Sequence, residues 1–154
     1  MTANQIEVRK ATLDDMQAVH HLIVELAVYE NAPNEVTNSL ASLKEDGFGA
    51  TPVFYCLVAA VGEDVIGFAL YYISYSTWKG KCVYLEDFLV TETWQRKGVG
   101  KMLFEAVHHQ AILIKAKRFE WQVLDWNTPA INFYNKYQVE MDRTWIDCRL
   151  VLAT

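Results

Sequence analysis

YLEDFLVTETWQRKGVG, residues 84–100, is the stretch that decides the fold of this chain. Its first part belongs to an apolar, aromatic and β-branched run over 82–90 that predicts a strand. A polar turn at 91–93 leads to QRKGVG at 95–100, and apolar residues then recur at helical spacing. The first N–H groups of a helix have no partner within the helix, and the helix dipole favours negative charge there. Because glycines let a backbone approach a ligand closely, the stretch predicts a pyrophosphate-type anion site.

The glycine pattern distinguishes this loop from other phosphate-binding loops. A lone Gly-x-Gly is a weak signal, because most such pairs are ordinary turns or helix caps. Here Gln95 precedes Gly98 and Gly100 in the order Gln-x-x-Gly-x-Gly, between a predicted strand and a predicted helix. No Gly-Lys-Ser/Thr follows, which excludes a P-loop, and a dinucleotide-binding fingerprint needs Gly-x-Gly-x-x-Gly.

The loop resembles the acetyl-CoA pyrophosphate loop of the GNAT superfamily of N-acetyltransferases. Further segments resemble its diamine acetyltransferases, that is, the spermidine/spermine N1-acetyltransferase family with its thialysine N-epsilon-acetyltransferase branch. The resemblance covers about residues 6–137, and YSTWKG and VLDWN are nearer to the thialysine branch. The segments are AVYE (27–30), EDGFG (45–49), YY (71–72), YSTWKG (75–80), YLEDF (84–88), VLDWN (123–127) and NFY (132–134).

Length and composition indicate a globular protein. The chain has 154 residues, 52% of them hydrophobic and 21% charged, so we expect a single domain over 1–154. The formal net charge of −5 argues against a dedicated nucleic-acid binder. No apolar run reaches the ~20 residues of a membrane helix, and the start MTANQIEVRK lacks the apolar region of a signal peptide. We therefore expect a cytoplasmic protein with neither a nucleic-acid nor a membrane partner.

Cysteine usage is typical of a reducing compartment. Cys56, Cys82 and Cys148 are odd in number and form no Cys-x-x-Cys pair. Each lies in an apolar, strand-like stretch, so we expect three buried free thiols and no metal site.

The periodicity along the chain predicts a mixed, mostly antiparallel sheet flanked by helices. The element order is β-α-α-β-β-β-α-β-α-β, in which an antiparallel meander is followed by β-α-β. This order belongs to the α/β (α+β) class and matches the acyl-CoA N-acyltransferase fold that the resemblance implies. The predicted helices cover 14–30, 37–46, 99 to about 117 and 129 to about 137, and the predicted strands cover 6–9, 54–61, 65–74, 82–90, 119–124 and 143–152.

The resemblance implies transfer of the acetyl group of acetyl-CoA to a primary amine. Such an amine has an intrinsic pKa of ~10 and must lose a proton before it attacks, and the departing thiolate needs a proton. Glu86 and Asp87 are adjacent carboxylates in the predicted strand. If that strand is regular, they point to opposite faces, and Tyr84, Glu86 and Phe88 share one face. A carboxylate in an apolar strand is costly unless it is paired or near water, and a strand-end charge facing solvent is the alternative.

The resemblance assigns roles to five polar side chains. Glu86 is the proton acceptor, through a water, and Asp87 is a second carboxylate on the substrate side. Tyr134 is the general acid, since a phenol can donate a proton to a thiolate; a packed helix aromatic is the alternative. Tyr29 and Glu30 match the amine-binding pair of the family, although a helix can also simply end with an aromatic and an acid.

The coenzyme and acceptor sites are implied in the same way. Asn127 matches a contact to the pantetheine arm, and the backbone of residues 88–90 would pair with that arm as an added strand. Trp78, Asp125 and Trp126 could line the acceptor pocket, because an aromatic face beside acids suits an alkylammonium; core or dimer packing is an equal alternative for Trp126. The implied coenzyme set is Phe88, Leu89, Val90, Gln95, Arg96, Lys97, Gly98, Val99, Gly100, Lys101, Asn127, Ala130, Phe133 and Tyr134.

The chain also departs from the family pattern. Gln138 and Val139 stand where the family has Gly-Ala, and the segment that follows is shorter, which affects the implied homodimer and the far wall of the acceptor pocket. Ser76 and Thr77 replace the Asp-Pro of the polyamine branch, which weakens the case for a long polycation as substrate. The sequence does not identify the physiological amine.

Three other functions stay open at this point. A coenzyme-binding sensor would keep the loop but lose Glu86 or Tyr134, and both are present. A scaffold for a protein partner would have no affinity for the coenzyme. An acetyltransferase for protein lysines would need an open groove in place of an aromatic, acidic pocket.

Overall fold

A computed structural model describes residues 5–152 of the chain. Its contacts form two compact units, one that ends at Gln122 and one that begins at Val123, and a single domain over 1–154 stays a prediction. Within the described residues, the first unit holds the sheet and three α-helices, and the second holds one α-helix. The elements are β1 (Ile6–Lys10), α1 (Met16–Tyr29), α2 (Leu40–Phe48), β2 (Tyr55–Val61), β3 (Asp64–Ser76), β4 (Gly80–Val90), α3 (Val99–Leu113), β5 (Arg118–Trp121) and α4 (Thr128–Asn135).

The sheet has the order β1-β2-β3-β4-β5. Its first four strands pair antiparallel, and β5 pairs parallel with β4. The parallel pair follows from the crossover through α3, because only a long connection can return the chain in the same direction. The predicted mixed, mostly antiparallel sheet with flanking helices is therefore confirmed.

Apolar packing fixes the helices on both faces of the sheet. Met16 and Val19 of α1 are fully buried in a cluster with Val58 and Phe68 of the sheet. On the opposite face, Phe104 of α3 is 2% exposed and its ring contacts aromatic side chains of the sheet. Burial of large apolar side chains of this kind contributes roughly 1.5–3 kcal/mol each.

A close approach of backbone and side chain joins α3 to the middle of the sheet. A Cβ atom at Gly67 would lie 2.9 Å from the carbonyl oxygen of Leu89 and 3.1 Å from Leu103. Gly67 is therefore required for packing, since these distances are shorter than ordinary van der Waals contacts.

The final predicted strand is wrong. Residues 143–152 belong to the described part of the chain, and none of them lies in a strand. Their alternating apolar pattern has strand propensity, but a strand also needs a partner for its backbone groups. Several side chains in this segment are highly exposed, among them Trp145 at 75% and Ile146 at 86%.

Smaller differences concern boundaries and one thiol. The helix predicted over 37–46 is Leu40–Phe48, so Gly47 lies inside it, and the helix predicted to reach about 117 ends at Leu113. Cys56 and Cys82 are buried free thiols as expected, but Cys148 is exposed and contradicts the expectation of burial.

The second unit begins its helix with a side-chain cap. Asn127 accepts a hydrogen bond from the backbone N–H of Ala130 at 3.3 Å, and α4 begins at Thr128, one residue before the predicted start at Pro129. Past the end of the helix, Gln138 adopts φ 56°. The chain thus takes a left-handed conformation at the position where the resembling family has glycine, at a cost of about 1 kcal/mol.

Candidate active site

A β-bulge in β4 decides which way its carboxylates point. Leu70 of β3 pairs with Asp87, but the next residue, Tyr71, pairs with Leu85, so Glu86 is an extra residue in β4. A bulge of this kind places two residues opposite one and shifts the alternation of faces beyond it. The expectation that Glu86 and Asp87 point to opposite faces holds only for a regular strand and is wrong here.

Contacts on the two sides of the bulge locate each face. Before the bulge, Tyr84 stacks on Tyr72 on the face that carries Glu86. After it, Phe88 contacts Phe104 of α3 on the opposite face, with ring centroids 6.1 Å apart. A regular strand would place Phe88 on the same face as Tyr84 and Glu86. Here Phe88 lies on the opposite face.

Tyr72 holds Glu86 in place. The phenol Oη of Tyr72 donates a hydrogen bond to Oε1 of Glu86 at 3.2 Å. The rings of Tyr72 and Tyr84 stack with centroids 5.3 Å apart and an interplanar angle of 30°. Two aromatic rings thus stand beside an exposed carboxylate. Tyr72 is not among the predicted site residues, although the YY pair and the period of two between Tyr84 and Glu86 could have indicated a cross-strand partner.

Asp87 is a half-buried carboxylate in acidic surroundings. Burial, together with the negative charges of Glu86 and Glu30, raises its pKa to about 7. Glu30 follows the last residue of α1, and burial also raises its pKa. The structure therefore brings together Glu30, Glu86 and Asp87, which we call the acidic cluster. Tyr29, predicted beside Glu30, is 48% exposed.

The acidic cluster suits a positively charged ligand. Each of its carboxylates gains from an ammonium nearby, because an opposite charge within several ångströms favours the ionised acid. Aromatic faces such as those of Tyr72 and Tyr84 add attraction for an alkylammonium. A carboxyl group with a pKa near neutral can also take up and release a proton at physiological pH.

The loop before α3 presents backbone N–H groups. Arg96 and Gly98 adopt left-handed conformations, with φ 62° and 83°. Gly98 is the N-cap residue of α3 and, as a glycine, has no side chain to cap the helix. Successive backbone N–H groups in such turns, followed by a helix N-terminus, form a concave anion site. Gly100, in the first turn of α3, adds no side chain at its position. This geometry fits the pyrophosphate of a coenzyme.

Side chains of the loop are partly engaged within the protein. Gln95 Nε2 donates to the carbonyl oxygen of Val90 at 2.8 Å and so fastens the loop to the end of β4. Lys97 Nζ lies 5.0 Å from the centroid of the Trp94 ring, and Lys101 forms an ion pair of 3.9 Å with Glu105. Gln95 thus has a structural role in the loop that the sequence did not reveal.

The second half of β4 pairs with β3 but not with β5. Pairing with β5 covers only Cys82 to Leu85, whereas pairing with β3 continues to Val90. From Glu86 onward, β5 therefore provides no ladder for β4. An extended ligand can add to such an edge as a strand, which is what the resemblance implies for the pantetheine arm at residues 88–90.

Three further predicted residues differ in their exposure. Trp78 is 82% exposed in the β3–β4 turn, and Gly80 next to that turn is six residues from Glu86, about 20 Å along a strand. The structure therefore does not bring Trp78 to the acidic cluster. In the second unit, Tyr134 is 6% exposed, its ring is edge-on to Phe133, and Trp126 is 47% exposed.

Residues 5–152 contain neither a metal-type cluster of side chains nor a membrane-type helix. No group of three or more His, Cys, Asp or Glu side chains in this range is arranged to hold a metal ion. None of the helices within the same range has the length and apolar character needed to cross a membrane.

Comparison with known proteins gives a consistent result. A model of the acetyltransferase (GNAT) family matches residues 16–138. A thialysine N-epsilon-acetyltransferase from Bos taurus is 38% identical over 137 residues, which cover 84% of this chain and 81% of that protein. The spermidine/spermine N(1)-acetyltransferase-like protein 1 from Homo sapiens is 38% identical over 135 residues, which cover 83% of this chain but only 19% of that longer protein.

Solved structures show the same fold. An aminoglycoside acetyltransferase from an uncultured soil metagenomic sample, solved with trehalose, superposes with a TM-score of 0.79. The match covers 98% of this chain and 99% of that one at 18% sequence identity. At this identity the likeness concerns the fold alone.

Proposed function

This chain belongs to the acetyltransferase (GNAT) family and is an amine N-acetyltransferase, and we propose that its acceptor is a primary amine of a small molecule. The observation that carries the proposal is the acidic cluster, in which a bulge places Glu86 and Asp87 on one face near Glu30. Thialysine-like amino acids and diamines or polyamines are the proposed acceptor class, on the strength of the relatives' names.

The acidic cluster performs the first step. It attracts the ammonium form of the acceptor and then removes one proton, because only the neutral amine can attack. We assign the proton transfer to Glu86, through a water, since Glu86 is the exposed member of the cluster. Asp87, whose pKa is about 7, also attracts the ammonium group of the substrate and can take up a proton from it.

The loop and the second half of β4 would hold the coenzyme. Residues 95–101 suit its pyrophosphate through backbone N–H groups, and the backbone of residues 88–90 suits its extended arm. Acetyl-CoA, when bound, would supply the thioester carbonyl that the amine attacks: a C–N bond forms, the C–S bond breaks, and coenzyme A leaves as a thiolate. Tyr134 is the proposed proton donor to that thiolate, on the match of its motif alone, and Asn127 is the proposed contact to the arm.

A homodimer is part of the proposal. Leu150 and Val151 are each 85% exposed, and Ile146 is 86% exposed. A contiguous run of exposed apolar side chains is a common feature of surfaces that associate. Sedimentation of the wild type and of an Ile146→Asp, Leu150→Asp variant would test this, and a monomeric wild type would contradict it.

We also propose a cytoplasmic location.

Thiol release from acetyl-CoA with a panel of amines tests the function. Thialysine, lysine, putrescine, spermidine and a lysine-containing peptide are compared for the wild type and for Tyr134→Phe. We expect turnover with small amines and a fall of about 100-fold in kcat for Tyr134→Phe, as is typical when a general acid is lost. Preference for the peptide would favour a protein-lysine enzyme, and coenzyme binding without any turnover would favour a sensor.

A further inference from the structure

We infer that Tyr72 is a positioning residue that holds the Glu86 carboxylate in the orientation needed for proton transfer. The inference rests on the proposed function, in which Glu86 receives the proton of the acceptor amine. Neither the resemblance nor the names of the relatives assign a role to Tyr72. Its place in the sheet and its one hydrogen bond do so.

Glu86 needs an external support because of where it lies. As the extra residue of the bulge, it has no partner of its own in the register with β3. Its side chain is exposed and has three rotatable bonds, so without a partner it would sample several rotamers. Among residues 5–152, Tyr72 is the one residue that donates a hydrogen bond to this carboxylate.

Tyr72 is itself held firmly. It pairs with Tyr84 across the strands, and the two rings stack at 5.3 Å. Burial raises the pKa of the Tyr72 phenol, and the nearby charge of Glu86 raises it further, so the phenol keeps its proton and remains a donor. The support is therefore built from two neighbouring strands and does not depend on a flexible loop.

The geometry leaves one oxygen of the carboxylate for chemistry. Tyr72 engages Oε1 of Glu86, and Oε2 stays available for the water or the ammonium that gives up the proton. A hydrogen bond to one oxygen fixes the direction of the other. Because a base must lie within hydrogen-bond reach of the proton it takes, loss of this orientation should lower kcat more than it affects binding.

A double-mutant cycle tests the inference. Tyr72→Phe keeps the ring that stacks on Tyr84 and removes only the hydroxyl. We expect kcat to fall about tenfold with an unchanged KM for acetyl-CoA and an unchanged Tm. In a Glu86→Gln background, the same substitution should have almost no further effect, since Tyr72 acts through Glu86. Tyr71→Phe, which removes a hydroxyl from the neighbouring residue on the opposite face, is the matched control and should leave kcat unchanged.

Each outcome separates the inference from the proposed function. If Glu86→Gln abolishes turnover while Tyr72→Phe is as active as the wild type, the inference fails and the proposed role of Glu86 stands. If the two substitutions reduce kcat by independent factors, Tyr72 acts by another route and the inference is overturned. If Glu86→Gln itself is fully active, the assignment of Glu86 fails, and the role of Tyr72 fails with it.

Discussion

The two halves of β4 differ in every property that matters for function. In residues 80–85, Cys82, Val83 and Leu85 are at most 2% exposed, and β4 pairs with β3 on one side and from Cys82 with β5 on the other. In residues 86–90, Glu86 is exposed, Asp87 is half-buried, and β5 no longer pairs with the strand. The first half, which we call the core half, is paired on both sides, and the second half, which we call the acidic half, carries the acids and does not pair with β5.

The difference shows how one strand can serve two purposes. Continuous pairing and burial make the first half rigid, because its backbone groups are satisfied on both sides. The bulge at Glu86 lies where pairing with β5 has ended, and it directs both acids to one face, while Phe88 beyond it packs against Phe104. The core half therefore positions the acidic half.

The largest effect is expected from Glu86→Gln. The substitution keeps the size of the side chain and removes its basicity, so kcat should fall about 100-fold or more, equivalent to roughly 2.7 kcal/mol. Thermal stability should stay within about 1 °C of the wild type, because the side chain is exposed. Steady-state kinetics and a melting curve provide the two measurements, and a variant with full activity would remove Glu86 from the mechanism.

Val83→Ala should have the opposite profile. Val83 is fully buried in the core half of β4, so truncation should lower the free energy of unfolding by about 2 kcal/mol. Below the melting transition, kcat should be unchanged within about twofold, since the acidic half keeps its register. Urea denaturation measures the first quantity. A large loss of kcat without loss of stability would contradict the division between the two halves.

Asp87→Asn should change the pH dependence of stability. The pKa of Asp87 in the folded protein, about 7, lies above its ordinary value of 3.8, so the folded chain holds a proton that the unfolded chain releases. Stability should therefore fall as pH rises from about 4 to about 7, and Asp87→Asn should abolish this part of the dependence. Since Asp87 is only half-buried, we expect about 2 kcal/mol of relative stabilisation at pH 8. Identical curves for both proteins between pH 4 and 8 would contradict the raised pKa.

The smallest effect concerns the glycines of the coenzyme loop. A Cβ atom at Gly100 would lie 3.7 Å from Phe88 and 3.9 Å from Val90, which are ordinary contacts, so Gly100→Ala should not destabilise the free protein. If the backbone approaches a pyrophosphate there, acetyl-CoA binding should nevertheless weaken about tenfold, or 1.4 kcal/mol. Gly98→Ala is the comparison, because φ 83° at that position should lower stability as well. Calorimetric titration with unchanged affinity for Gly100→Ala would refute the loop assignment.

The sequence predicted most of the sheet but not the direction in which the side chains of β4 point beyond its bulge. Periodicity indicates that β4 exists, because the apolar run over 82–90 has no other plausible structure. A bulge, in contrast, depends on the pairing with β3, which a single strand pattern does not contain. The prediction that Glu86 and Asp87 separate to opposite faces failed for this reason.

The segment 143–152 illustrates the same limit of a sequence pattern. Residues 143–152 have the composition of a strand, yet a pattern records only propensity and not the presence of a partner. The acids and the glycine loop could be chosen by their motif, whereas Tyr72 and the structural role of Gln95 became visible only through cross-strand and loop hydrogen bonds.

The bulge at Glu86 also constrains how this protein can evolve. Insertions and deletions are usually tolerated in loops and rarely in strands, because each one inverts the inside and outside of all that follows. In β4 an extra residue already inverts the faces of the strand. It places Asp87 on the same side as Glu86 and Phe88 against α3. Deleting a single residue between Leu85 and Phe88 would restore a regular ladder. The number of residues in this short segment therefore decides whether β4 carries a site or is an ordinary strand.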